Sequence, residues 1–533
     1  MVVSIGRDAL IHDVRELTSL LENAHPDPYF RGGGRIAYHR RLQKLISSIP
    51  HEGMTKQEFF FHLQPFIAKI GDGHTKIEYD DAKIDTENPR GIPLSFDVVE
   101  EKLYVRAVTT EENRHLIGCI LSSVEGVPIE ELIRRQVKRE GYENSYQLMG
   151  SLGKNLFHGD YLRQLIPEWR NKAQIRLTLR QPNGVEKEYN LPTSEMVKYP
   201  LIQVNDKIDL KVSNNRSFYY HFIGPDKKNA LLTINDMSSF REAFEYWDAT
   251  GQAGRSRYGR RLYKRINDRE PPEDYEEGLK GIPSATELFL SLVQEMKEKN
   301  SEVLIVDLRQ NIGGLDTMNQ ILLYFLVGFD QTISLMMENA AIRKFSKFLN
   351  DTSERGLELE KVPYADLVPL EINDYDFSQD PDFNPEDLKE VTIAGLKNTF
   401  EKIPTFFKIF EAREFEAYYF PRYIVVLSSS TTFSSGFNLM TDLYRLGAVI
   451  IGTPSGQAGN SFGDIRRFEL TNSRIKGNIS TKYFLAFPDD PEKGRLLMPH
   501  YPLTYEKLAS YNFDKNSTLL YALEKINEFE DNE

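Results

Sequence analysis

Short, wholly apolar runs alternate with amphipathic ones from about residue 217 onward, and this order restricts the fold more than any other feature of the chain. NALLTIND, EVLIVDLR, RYIVVLS and AVIIG read as strands. TELFLSLVQEMKEKN, TMNQILLYFLV and FNLMTDLYRL carry apolar residues at three- and four-residue spacing and read as helices between them. Strands that are apolar on both faces must be covered on both, so the alternation predicts an α/β layer with a largely parallel sheet. Residues 241–282, rich in Arg, Tyr, Gly and Glu, and the acidic stretch 350–400 interrupt the pattern and read as surface excursions.

The first part of the chain follows other periods. Residues 5–70 are helical in pattern, with a capping box at Thr55–Glu58 and a glycine loop at 32–34. From about 76 to 197 come IPLSFDVV, KLYVRAV, CILSSV, QIRLTLR and VEKEYNL, short β-type runs with one or two helices among them. A length of 533 residues exceeds what one core sustains. The expected division is a helical region at 1–75, a β-rich module at 76–200 and an α/β domain at 205–533.

Composition removes several function classes. With 66 basic against 79 acidic residues the chain carries −13, which argues against a general nucleic-acid binder. The single cysteine, Cys119, sits in an apolar run and reads as packing. No stretch reads as a membrane span, and the start of the chain has no apolar targeting segment. Neither HExxH nor paired-cysteine spacing occurs, so no metal and no cofactor is expected.

Four stretches carry chemistry. In IGDGHTKIEY, His74 lies in a glycine-flanked turn, where a general base could be presented to a cleft. In VLIVDLRQNIGGLDT a buried strand ends at Asp307 and Arg309, and Gly313-Gly314 then leads to a helix; exposed N–H groups there suit an anion, although a plain tight turn would look the same. In YIVVLSSSTTFSSGF a strand runs into a Ser/Thr cluster and a helix starts near Ser434. Either Thr432 or Ser434 caps this helix, or Ser434 is a nucleophile with the Ser435 N–H as oxyanion donor. PDDPEKGRLLMPHYPL offers late carboxylates, Asp489, Asp490 and Glu492. Gly459–Gly463 also matches GxSxG, but that elbow needs a helix to follow, and IRRFEL looks like a strand.

Taken in order, these stretches resemble the tail-specific, or C-terminal processing, serine peptidases. The family's DGHT-like turn corresponds to Asp72–Thr75, its PDZ-like signature to Gly118–Gly126, its DLRxNxGG motif to Asp307–Gly314, and its nucleophile motif to Thr432–Ser435 with Gly447 and Ile451-Gly452 beyond. The resemblance implies a crotonase-like (ClpP/crotonase) α/β catalytic core with an N-terminal helical region and a PDZ-like peptide-binding module. Where one branch of the family has a catalytic lysine, this chain has Gln457, and an amide cannot act as a base. The chain therefore resembles the tricorn-like branch, in which a histidine serves the serine.

That resemblance implies Ser434 as nucleophile, His74 as base, Glu492 as supporting acid, and the N–H groups of Ser435 and of Gly313 or Gly314 as oxyanion hole. The activity it implies is hydrolysis of protein or peptide substrates, in the periplasm, the cell envelope or outside the cell. Two positions depart from the family: Gly73 precedes the histidine where a serine is usual, and His500 follows the late proline where an aspartate is usual. A non-catalytic binding protein on the same scaffold and a crotonase-type acyl-CoA enzyme are the other readings. Oligomeric state is not legible.

Overall fold

The computed structural model describes residues 4–79, 90–169, 172–195, 201–346, 348, 371–382, 385–413 and 418–531, apart from 206, 209, 211–214, 225, 252–254 and 372. The chain forms two compact units. One comprises Met1–Val204, Ala340–Asn384 and Gly456–Leu497; the other comprises Asn205–Asn339, Pro385–Ser455 and Met498–Glu533.

The second unit holds the sheet that the alternation predicts. Its strands run Phe218–Ile223, Asn229–Ile234, Val303–Asp307, Tyr423–Ser428, Val449–Gly452 and Tyr501–Pro502 in spatial order. The first two form an antiparallel hairpin, and all later neighbours pair in parallel. Leu231, Val303, Ile305, Val425, Leu427 and Ile451 pack with Leu519, Ala522 and Ile526 of the last helix, Ser517–Asp531. The alternate residues Leu232, Leu304, Val306, Val426 and Ile450 point to the opposite face and are equally buried.

The helix Thr317–Met337 is long and apolar enough by composition to cross a membrane, which the sequence reading did not register. It is mostly buried within this unit, as a core helix of a globular domain would be, and it breaks at Gly328, whose φ of 79° lies outside the helical range. Residues 241–282 are not a loose excursion. They form three helices, Arg241–Ala249, Arg255–Asn267 and Tyr275–Lys280, that bury Phe244, Trp247, Leu262 and Tyr263. Of the other expected excursion, 351–370 lies outside the described residues, and the strand Tyr375–Gln379 and the helix Pro385–Glu401 follow it.

In the first unit the helices Arg7–Ala24, Gly34–Ser47 and Lys56–Ala68 match the helical pattern, and the Thr55–Glu58 capping box forms in both directions. These helices do not make a core alone. Leu10, Val14, Leu17, Leu21, Phe59, Leu63 and Ile67 close over Phe468, Leu470, Ile475 and Ile479 from the late hairpin Asn460–Glu469 and Lys476–Leu485. The first unit accordingly takes in 340–384 and 456–497 as well as the residues before 205. The β-rich part is an antiparallel sheet in the order Glu186–Pro192, Gln174–Arg180, Ile120–Val124, Lys102–Val108 and Leu94–Val99. Cys119 is buried at the entrance to one of these strands, and burial pushes its thiol up to about 11.

Asp13 pins the helices to the hairpin. Fully buried, it accepts the Asn472 and Ser473 N–H groups at 3.0 and 2.7 Å and the Asn472 side-chain amide at 2.7 Å. Asp13→Ala strips three donors of their acceptor and should cost about 3 kcal/mol. Urea unfolding would measure the loss, and hydrogen exchange should rise across 460–485; unchanged exchange there would refute the pinning role.

Candidate active site

The second unit carries the expected nucleophile. The buried strand Tyr423–Ser428 leads into a turn held by the hydroxyls of Ser429 and Thr432. Thr432 Oγ1 accepts the Ser429 N–H at 3.0 Å and donates to the Leu308 carbonyl at 2.8 Å, while Ser429 Oγ donates to the Arg309 carbonyl. Ser434 follows with φ 54° and ψ −131°, and the helix Ser435–Arg445 begins at the next residue. Ser434 stands at the N-cap position but its side chain makes no capping bond to that helix, and Thr432 is spent elsewhere, so neither hydroxyl caps it. A non-glycine residue in this backbone region costs on the order of 1–3 kcal/mol and persists only where its surroundings hold it. A strained serine on a strand-to-helix turn is the arrangement that projects a hydroxyl outward.

Asn311 supplies the hold. Its buried amide donates to the Ile234 carbonyl at 2.9 Å and accepts the Gly313 N–H at 2.8 Å, and its own carbonyl accepts the Phe433 N–H at 2.9 Å. Gly313, at φ 92°, passes so close that an added Cβ would lie 2.5 Å from Ser434 Cβ and 2.9 Å from the Ser435 nitrogen. The Asp307 carboxylate braces the same loop through a two-pronged pair with Arg309, at 2.9 and 2.6 Å.

The two candidate oxyanion glycines are not equivalent. The Gly313 N–H is engaged by Asn311. Gly314 bridges Met237 in parallel, with Met237 N–H donating to the Gly313 carbonyl and Leu315 N–H donating to the Met237 carbonyl. In such a bridge the N–H and C=O of Gly314 itself point the other way, and its carbonyl does meet Ser435 Oγ at 2.9 Å. The geometry therefore turns the Gly314 N–H, not that of Gly313, toward the Ser434 turn.

The first unit carries the expected base. Asp72 Oδ1 accepts the His74 N–H at 2.8 Å and Oδ2 accepts that of Thr75 at 3.1 Å, which folds the glycine-flanked turn. His25 accepts the Asp27 N–H on Nδ1, so its Nε2 carries the proton and donates to Asp72 Oδ2 at 3.3 Å. Burial alone would raise the Asp72 carboxyl, but the His25 bond and the His74 charge outweigh it and hold it at about 2.

Glu143 is the residue the sequence reading missed. Buried, it places Oε1 at 3.6 Å from His74 Nδ1, and its Oε2 accepts the Ala458 N–H at 3.0 Å. Burial works to lower the His74 imidazole; the adjoining Glu143 carboxylate, with the Asp72 charge and the Phe462 backbone, overcomes this and holds it above its ordinary value. Burial raises Glu143 itself, against the pull of His74. Gly141 brings the loop in: a Cβ there would lie 2.5 Å from the Asp72 carbonyl oxygen. Arg31 and the Asn144 cap of the helix Ser145–Phe157 then fix it. A glycine two residues before an acid was the available signal.

Glu492, chosen by its place in the sequence, is exposed in the short helix Pro491–Arg495, and the carboxylates beside His74 are those of Glu143 and Asp72 instead. Ser461 of the GxSxG match is buried inside the strand Asn460–Glu469, with no helix after it. Gln457 is buried just before that strand. The donor atoms of Asp72, His74 and Glu143 lie within 4.8 Å of one another, close enough to hold a cation. Their lone pairs are largely committed to N–H groups of the protein, which makes the trio a poor cage.

The sequence pattern described as peptidase family S41 matches residues 274–484. The match takes in Gly313, Gly314, Ser434 and Ser435 and leaves out His74, Glu143 and Glu492. No curated protein matches the chain by sequence. Among solved structures, mature CPAF is similar at 14% identity and a TM-score of 0.57, over 97% of this chain and 98% of that one. Mature CPAF complexed with lactacystin is similar at 14% identity and 0.56, over 97% and 99%. The photosystem II D1 C-terminal processing protease is a looser match, at 12% identity and 0.41, over 95% of each chain.

Gly313→Ala places a methyl group against Ser434 and should reduce labelling of Ser434 by a fluorophosphonate at least 10²-fold, without loss of helical circular dichroism, since displacements near 1 Å have that effect on reactive groups. Unchanged labelling would refute the close-packing account. Residues 274–484 thus match the peptidase family S41 pattern, and the chain is a hydrolase of the serine peptidase kind.

Proposed function

We propose that the chain cleaves peptide bonds through an acyl-enzyme on Ser434, with His74 as the base. One observation carries the reading: a serine in a strained elbow between strand and helix, with the Gly313 loop packed against it. On this reading the N–H groups of Ser435 and Gly314 form the oxyanion hole. In this mechanism His74 takes the Ser434 proton as Oγ attacks the scissile carbonyl, and the two N–H groups stabilise the oxyanion. The imidazolium then protonates the leaving amine, and water, activated by the same histidine, releases the acid and restores the serine. Glu143 is the positioning carboxylate. Held by the Ala458 N–H, it faces Nδ1.

We read the histidine base as that of the tricorn-like branch. We also read the parallel sheet as a crotonase-like core, and the β-rich sheet as a PDZ-like module that captures an extended peptide by strand addition. Each oxyanion donor would supply a factor of about 10²–10³ in turnover.

Ser434→Ala should abolish fluorophosphonate labelling and cleavage of an unstructured protein substrate. His74→Ala should cost at least about 10³-fold in kcat, and Gln457→Ala much less. Labelling that survives Ser434→Ala would overturn the nucleophile.

The pH profile tests the acid. A base must be neutral to act, and the folded His74 lies above the ordinary 6.5, so kcat/KM should rise with pH through a midpoint above 6.5. Glu143→Gln removes the leading upward influence; the midpoint should move to lower pH, with kcat reduced on the order of 10²-fold or more. Glu492→Gln should change neither. If Glu492→Gln shifts the midpoint and Glu143→Gln does not, the positioning carboxylate is Glu492.

A further inference from the structure

The helix Arg255–Asn267 carries six basic residues and no acidic one, in a chain whose formal charge is −13. Arg257, Arg260, Arg261, Lys264 and Arg265 are all exposed and stand at i, i+3, i+4, i+7 and i+8, which is a single face of a helix. Lys264 pairs with Glu270. Among the described residues, Arg257, Arg260, Arg261 and Arg265 have no carboxylate within ion-pair distance. Five cations so close repel one another, and nothing in the packing of this helix requires them.

The opposite face fixes the helix to the second unit and to the oxyanion loop. Leu262 and Tyr263 are buried, and the Tyr258 ring stacks on Phe244 at 5.8 Å. Its hydroxyl meets Ser239 Oγ, which bonds the Asp236 carboxylate; Asp236 also accepts the Ser238 N–H at 2.7 Å. Met237, between them, is the residue that bridges Gly314. The basic face therefore lies roughly one helix diameter, ~10 Å, from the loop assigned to the oxyanion. An extended peptide covers that distance in about three or four residues.

We propose that this helix face is an exosite for acidic segments of the protein substrate, located a few residues from the bond to be cut. The proposal rests on the peptidase reading for its substrate, but not for its binding test. A lipid surface fits less well, because the apolar residues of the helix are packed inward and none is left to insert. Nucleic acid fits less well because no exposed aromatic is interleaved with the cations. Long-range attraction of this kind raises the association rate and weakens as salt screens it.

The test uses full-length Ser434→Ala protein and two fluorescein-labelled peptides that differ only in four consecutive Glu or Gln residues. Anisotropy should show the Glu peptide binding at least 10-fold more tightly at about 50 mM salt, with the preference lost near 500 mM. Arg257→Gln/Arg260→Gln/Arg261→Gln should remove the preference while leaving the unfolding midpoint and Gln-peptide binding unchanged. Equal binding of both peptides, or a preference that survives the triple variant, overturns the proposal. So does tighter binding of phosphatidylserine vesicles or an oligonucleotide that alone responds to the triple variant. A native enzyme that cuts neither peptide would refute the peptidase reading instead, and the anisotropy result would stand apart from it.

Discussion

The buried amide of Asn311 is the interaction on which the nucleophile half depends. One side chain closes a glycine loop onto itself, ties it to the strand Asn229–Ile234 and leaves Gly436 just enough room to start its helix; a Cβ at 436 would lie 2.6 Å from Asn311 Oδ1. Left without partners, that amide would cost a few kcal/mol. Satisfied, it fixes three segments at once. The strain at Ser434 can persist because the strand behind it, the loop beside it and the helix ahead of it are all held.

Asp72 does the equivalent work in the other unit. It closes a glycine-bearing turn through two N–H groups, takes its third bond from His25, and presents His74 as a consequence. In both places a glycine permits a close approach and a buried polar side chain makes that approach permanent. Gly313 and Gly141 are the clearest cases, since a methyl group at either would meet backbone.

Much of this was legible in the sequence because it is local. The parallel sheet follows from runs that are apolar on both faces, the Thr55 cap from a four-residue signature, and Ser434 and His74 from turns flanked by strand and helix. What was missed is tertiary. Glu143 reaches His74 only because Gly141 lets a distant loop lie on Asp72, and no spacing rule links the two. Glu492 was placed by order along the chain, which says nothing of exposure. Gly313 and Gly314 look alike in sequence, and only the Met237 bridge and the Asn311 amide tell them apart. The first unit is discontinuous along the chain for a similar reason, since helices at the start of the chain are completed by a hairpin near its end.

Cys119 has a consequence for how the molecule can be handled. With its thiol pushed to about 11, only on the order of one molecule in 10⁴ carries a thiolate at neutral pH, and that sulfur is buried. No disulfide within the chain is possible, so redox potential does not enter the balance of folding. An electrophile that would attack either sulfur or oxygen therefore meets a chain with almost no sulfur nucleophile, and covalent modification by such a reagent reports on oxygen chemistry without the cysteine having to be removed first.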